Sequence, residues 1–233
     1  MPKSDMLMTK RNLLGSAALG AFAVALAATG ATGALAATVP EPEGTVDMAQ
    51  ALEPTPNMPD MSIGDTNAKV KIIEYMSTTC PHCAHFAQTT FDPIKAKYVD
   101  TGKVQFIIRE FPIANQDQDP AAYAAFMLVR SAPSGPSIPL LETFMKQQMQ
   151  WAGPGVSDVR GALLQISKIA GYTQESFEAC LNNAKLVDDI NAQRARGAKS
   201  FGVNGTPTFL INGKRYSGDM SVDTMSAIID SML

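Results

Sequence analysis

The sequence predicts an α/β protein in which a β-α-β unit and a β-hairpin followed by a helix flank an all-helical block. Three observations predict it. Val70-Lys71-Ile72-Ile73-Glu74-Tyr75 and Val104-Gln105-Phe106-Ile107-Ile108 are short apolar, β-branched runs separated by a helical stretch. Residues 112 to about 200 carry helix signals and no strand signals. Strand character returns at Thr208-Phe209-Leu210-Ile211, before the hairpin dipeptide Asn212-Gly213. At 233 residues, 45% of them hydrophobic and 18% charged, the chain can bury a sizeable core, and collagen, a coiled coil and wholesale disorder are excluded.

The first 36 residues read as a signal peptide and are set aside from the fold. Lys3, Lys10 and Arg11 give a positive start, an uncharged Ala/Leu/Gly-rich run follows, and Ala34-Leu35-Ala36 offers a small-x-small cleavage site. Thr9-Lys10-Arg11 departs from a twin-arginine signal at the first arginine, so general secretory export is expected. The run is also long enough to anchor the chain in a membrane if it is retained. Export, to a periplasmic location, places the chain where disulfides form and persist. Residues 37–60 hold five prolines among acidic residues and read as a flexible or extended arm, with order expected from about Met61.

The first strand follows the turn signal Gly64-Asp65-Thr66-Asn67. Ser77-Thr78-Thr79-Cys80-Pro81 then opens a helix, since hydroxyls cap and proline fits a first turn. That helix is expected to run to about Lys97 with a kink at Pro93. Joining two strands through a helix requires a parallel pair with a right-handed crossover. The helical block is expected as Ala121–Arg130, Leu140–Gln150, Asp158–Ala170 and Gln174–Ser200, the last broken near Asn182. Lys214-Arg215-Tyr216 completes the hairpin, and Val222–Met232 places Met225, Ile228, Ile229 and Met232 on one helix face.

Cys80-Pro81-His82-Cys83 lies at the strand-to-helix turn of the β-α-β unit, the context in which C-x-x-C is redox-active. Two intervening residues in a first helical turn bring the sulfurs within bridging reach. Free N–H groups and the positive end of the helix dipole favour a thiolate at the first sulfur. Cys80 is therefore the expected exposed attacking sulfur, Cys83 the resolving one, and His82 adds positive or hydrogen-bonding character. Glu74, among apolar strand neighbours, is expected to be buried, which raises a carboxyl pKa. Cys180 reads as an inert core thiol, His85 as a packing side chain, and Trp151, Met145 and Met149 as core rather than a substrate groove. A net charge of −3 gives no electrostatic reason to bind nucleic acid or anionic lipid. No phosphate-binding glycine loop is present, and two histidines leave little for a metal site.

The strand Ile72-Ile73-Glu74-Tyr75, the motif Cys80-Pro81-His82-Cys83 and the segment Gly205-Thr206-Pro207-Thr208-Phe209 together resemble the DsbA-like thiol-disulfide oxidoreductases of the thioredoxin superfamily. The resemblance covers roughly residues 61–233. It implies a thioredoxin fold (61–111 and 201–233) carrying an inserted all-helical domain (112–200). It also implies that Pro207 is a cis-proline facing the cysteine pair, that Thr206, Pro207 and Pro81 border the substrate, and that Glu74 relays a proton for Cys83. The implied activity is the introduction of disulfides into folding exported polypeptides by a monomer without metal or cofactor. A membrane quinone-linked reoxidase of the DsbB type is the implied second partner. An isomerase or reductase using the same cysteines is the alternative within the family. A metal-delivery protein using Cys80, Cys83 and a nearby histidine is the alternative outside it.

Overall fold

A computed structural model describes residues 39–135 and 137–233. The expected signal peptide, residues 1–36, lies outside the described residues. No helix among the described residues is long and apolar enough to cross a membrane.

A six-stranded mixed sheet, in the order β1-β6-β5-β3-β4-β2, forms the centre of the described chain. The strands are β1 (Gly44–Thr45), β2 (Met61–Ile63), β3 (Val70–Met76), β4 (Val104–Glu110), β5 (Thr208–Ile211) and β6 (Lys214–Ser217). The expected parallel pair is β3 and β4, with Glu74 opposite Ile108. β5 runs antiparallel to β3, Phe209 opposite Glu74. The β5–β6 turn has Asn212 at φ 44° and Gly213 at φ 86°. Both central residues are left-handed, so the turn is of the type that matches strand twist.

Side chains alternate along β3, and the two faces have separate cores. Ile72 and Met76 face α2 (Pro81–Thr89), α3 (Phe91–Ile94) and α10 (Val222–Asp230), together with Phe106, Phe209, Ile228 and Ile229. Phe86 lies 4.8 Å from Phe209 and 6.5 Å from Phe106, ring centre to ring centre. Ile73 and Tyr75 face the other way, against Ala51, Phe111, Phe201 and Leu210.

The insertion between β4 and β5 comprises α4 (Pro120–Arg130), α5 (Ile138–Lys146), α6 (Gln148–Trp151), α7 (Val159–Ser167), α8 (Gln174–Leu181) and α9 (Ala184–Phe201). The helix expected over 140–150 is broken at Gln147, and the one expected over 174–200 is broken at Asn182 and Asn183. The boundary expected at residue 200 falls inside α9, whose Gly197 packs on Tyr75 and whose Phe201 joins the sheet's core.

Two further expectations are corrected. The helix after Cys80 breaks at Thr90 rather than running kinked to Lys97; α3 and a π-helical turn, Lys95–Val99, follow. Pro93 has no N–H for the Thr89 carbonyl and its ring crowds that oxygen, so the ladder fails one turn upstream of the proline.

The described part of the segment read as a flexible arm is ordered. β1 pairs with β6, and α1 (Met48–Leu52) is capped by Asp47, whose Oδ1 accepts from Ala49 and Gln50 at 2.9 and 3.2 Å. Arg109 is fully buried, binds Asp60 through two 2.8 Å bonds and donates to the Glu53 carbonyl. Arg196 donates to the carbonyls of Gln50 and Glu53, and Arg130 to that of Pro59. The segment buries little of its own, so its composition is that of disorder. The donors that hold it come from residues far along the chain.

Candidate active site

β3 ends at Met76, and Ser77–Thr79 turn the chain into α2. The Cys80 N–H closes this turn on the Ser77 carbonyl at 3.2 Å, and Ala84 N–H bonds the Cys80 carbonyl at 3.1 Å. Cys80 is thus the N-cap of α2, at φ −76° and ψ 121°, with Pro81 in the first turn. Its side chain makes no capping hydrogen bond, and the unpaired N–H groups of that turn act on the sulfur through their partial positive charge.

Cys80 and Cys83 are both free thiols. Pro81 and His82 are exposed, whereas Cys80 is only 3% exposed and Cys83 1%. The expectation of an exposed Cys80 is therefore corrected: the sulfur lies under the Thr206 carbonyl, 3.2 Å away, to which only its protonated form donates. The Thr206–Pro207 peptide is cis, as the resemblance implied. Pro207 is buried and leads into β5, beside β3.

The electrostatics separate the two sulfurs. Cys80 is lowered to about 5, first by the hydrogen bond from Cys83. Burial opposes this, and the Thr206 hydroxyl and the backbone N–H groups of Cys83 and His82 add to it. Cys83 is pushed well above an ordinary thiol by burial, then by its bond to Cys80 and the charges of Glu74 and Cys80. Glu74 is 5% exposed and raised to about 8, chiefly by burial and then by the Cys80 charge. Glu74 and Cys83 line a cavity of about 30 Å³ with Met76, Ile108, Leu141 and Met145. The arrangement holds one sulfur as an anion, the other as a thiol, and an acid that can carry a proton at neutral pH.

The Ser77 and Thr79 hydroxyls do not cap α2 as expected, since Cys80 is its N-cap and no side chain bonds there, but they join residues of the insertion to complete the site. Thr79 donates to Asp119 Oδ2 at 2.7 Å, and the Ser77 and Thr79 hydroxyls lie 3.1 Å apart. Gln148 Nε2, buried, donates to the carbonyls of Thr78 and Cys80 at 2.7 and 3.0 Å. Asp119-Pro120 reads in the sequence as a helix start, and Asp119 is the N-cap of α4, but no motif marks Gln148 in α6; both reach the active-site turn from the insertion.

His85 is exposed and paired with Asp219 rather than packed as expected. Trp151 and Met145 are core as expected, whereas Met149 is 66% exposed and lies outside it. Cys180 is buried, its pKa raised by that burial, with the Tyr172 hydroxyl 3.8 Å from its sulfur. It lies in the continuous apolar cluster that joins the insertion helices to one face of the sheet. Among the described residues no three His, Cys, Asp or Glu side chains converge as metal ligands.

The family model described as thioredoxin matches residues 56–231, and the chain belongs to the thioredoxin family. Within that family its likeness is to the DsbA proteins. The crystal structure of Wolbachia pipientis alpha-DsbA1 is similar at a TM-score of 0.67 and 28% identity, over 78% of this chain and 94% of that one. A relative from Rickettsia conorii, named as a protein-disulfide oxidoreductase, is 35% identical over 75% of this chain. A disulfide bond formation protein D of Bacillus cereus is 26% identical over 74% of this chain and 78% of its own. The chain spans about 60% of the length of the rickettsial relative.

Proposed function

We propose that this chain is an exported, periplasmic thiol-disulfide oxidase that introduces disulfides into newly exported polypeptides. The observation that carries the proposal is the polarised pair: Cys80 lowered to about 5 at the N-cap of α2 and Cys83 held as a thiol beside a protonated Glu74. At pH 7 a thiol of that pKa is ionised about a hundredfold over its neutral form. Stabilising the reduced state to that extent raises a two-electron potential by roughly 60 mV.

The oxidised enzyme starts with a Cys80–Cys83 bond. A substrate thiolate attacks Cys80 Sγ, the S–S bond breaks, and Cys83 leaves as a thiolate that takes the proton of Glu74. The substrate's second thiolate then attacks its own sulfur in the mixed disulfide, and Cys80 leaves as a stable thiolate. The substrate has lost two electrons and the enzyme has gained them. A quinone-linked membrane protein of the DsbB type accepts those electrons and restores the Cys80–Cys83 bond. Thr206 and Pro207 offer backbone beside the sulfur for an extended substrate strand, with Pro81 and His82 on the open side.

The redox equilibrium of the Cys80/Cys83 pair against glutathione tests the proposal. An oxidase lies towards the oxidising end, near −120 mV, and a reductase near −270 mV. A Cys80 titration midpoint near 8.5 in the reduced protein rejects the reading. Oxidation of a reduced substrate, compared with refolding of a scrambled one, separates oxidase from isomerase.

A further inference from the structure

We propose that Gln148 is a positioning residue for Cys80: its side-chain amide, reaching out of the helical insertion, sets where the nucleophilic sulfur lies against the first turn of α2. The proposal rests on the thiol-disulfide reading above. α5 stops at Lys146 and α6 begins at Gln148, with Gln147 between them at φ −106° and ψ 17°. This break turns Gln148 inward to 4% exposure while its neighbour Met149 stays 66% exposed. The two hydrogens on one nitrogen serve two carbonyls of the active-site turn, Thr78 at 2.7 Å and Cys80 at 3.0 Å.

The Cys80 carbonyl also accepts from Ala84 N–H at 3.1 Å, so its direction is held from two sides. That direction defines ψ of Cys80, here 121°. Rotation about the same bond moves the helix's first N–H groups relative to the sulfur. Gln148 touches neither sulfur nor substrate; it acts through the peptide that aims those donors. The rest of the turn has its own ties, Thr79 to Asp119 and Thr78 to the Ala122 carbonyl, so the turn does not depend on Gln148 alone.

The test is made on the reduced full chain. Gln148→Met keeps the side-chain length and removes both donors. The midpoint of Cys80 thiolate absorbance is expected to rise by about one pH unit, and the glutathione equilibrium to move about tenfold towards the protein disulfide. Gln148→Ala, which makes room for water to donate to the same carbonyls, shifts both in that direction by less. Gln88 gives the control: its Nε2 bonds the Met145 carbonyl at 3.1 Å, tying α2 to the insertion without touching the turn. Gln88→Leu is expected to lower the melting temperature and leave both redox readings unchanged. If the methionine variant fails to fold, the alanine variant decides. Folded Gln148 variants with unshifted readings overturn the proposal, as does an equal shift in Gln88→Leu. Failure of the oxidase reading itself is seen separately, as a wild-type Cys80 midpoint near 8.5.

Discussion

Glu74 is the residue at which stability and chemistry pull apart. Its folded pKa of about 8 lies above the ordinary value of 4.5, so the native state holds a proton that the unfolded chain releases. That contribution is complete below pH 4.5 and is lost as pH rises through 8. Glu74→Gln is therefore expected to stabilise the protein by a few kcal/mol at pH 8, to leave it unchanged near pH 4, and to flatten the slope between. Urea unfolding at a series of pH values reads this directly; a variant that keeps the wild-type slope removes Glu74 as its cause. The same substitution takes away the proton carrier for Cys83. Reduction of the disulfide by a dithiol should slow about a hundredfold, within the usual range for a positioned acid. Stopped-flow fluorescence follows the rate, and Cys80 should still titrate near 5.

Among the elements, those whose stability is local were legible in the sequence. β3, β4, the Asn212-Gly213 hairpin and α10 each carry their pattern within a dozen residues. The helical block was legible from its own helix signals, and the resemblance supplied the cis-proline and the block's place as an insertion in a thioredoxin fold. The segment 39–60 was not legible, because its partners Arg109, Arg130 and Arg196 lie far along the chain and arginine announces no partner. Gln148 escaped for the same reason, and Asp119-Pro120 signals a helix start without naming Thr79 as a partner. Arg109→Leu is expected to cost roughly 3–5 kcal/mol, because it strands Asp60 and removes the tie to Glu53. Denaturant melts measure the loss, and an unchanged midpoint would mean that the segment is held elsewhere. α9 makes its own close approach: a Cβ on Gly197 would stand 2.8 Å from a Tyr75 ring carbon. Gly197→Ala should cost about 1–3 kcal/mol through overpacking, read as a lower melting temperature.

At the scale of the whole molecule, the active-site turn is held between the sheet that carries it and the helices inserted beyond β4. Met76 accepts from Phe111, Thr79 donates to Asp119, and Gln148 reaches Thr78 and Cys80. The thiolate is thereby coupled to global stability, and the coupling has a definite sign. In the reduced form, a Cys80 pKa of about 5 against an ordinary 9.0 gives stability that is complete above pH 9 and lost as pH falls through 5. The oxidised form has no such thiol, while burial of Glu74 acts in both forms and largely cancels in the difference. The melting temperature of the reduced protein minus that of the oxidised protein should therefore grow from pH 5 towards pH 9 and level off below pH 5. Calorimetry of both redox forms across that range measures the difference. A gap that narrows with rising pH would mean that the fold opposes the Cys80 anion. The direction of electron flow would then have to be sought in strain of the disulfide, because nothing in the reduced state would be drawing the bond open.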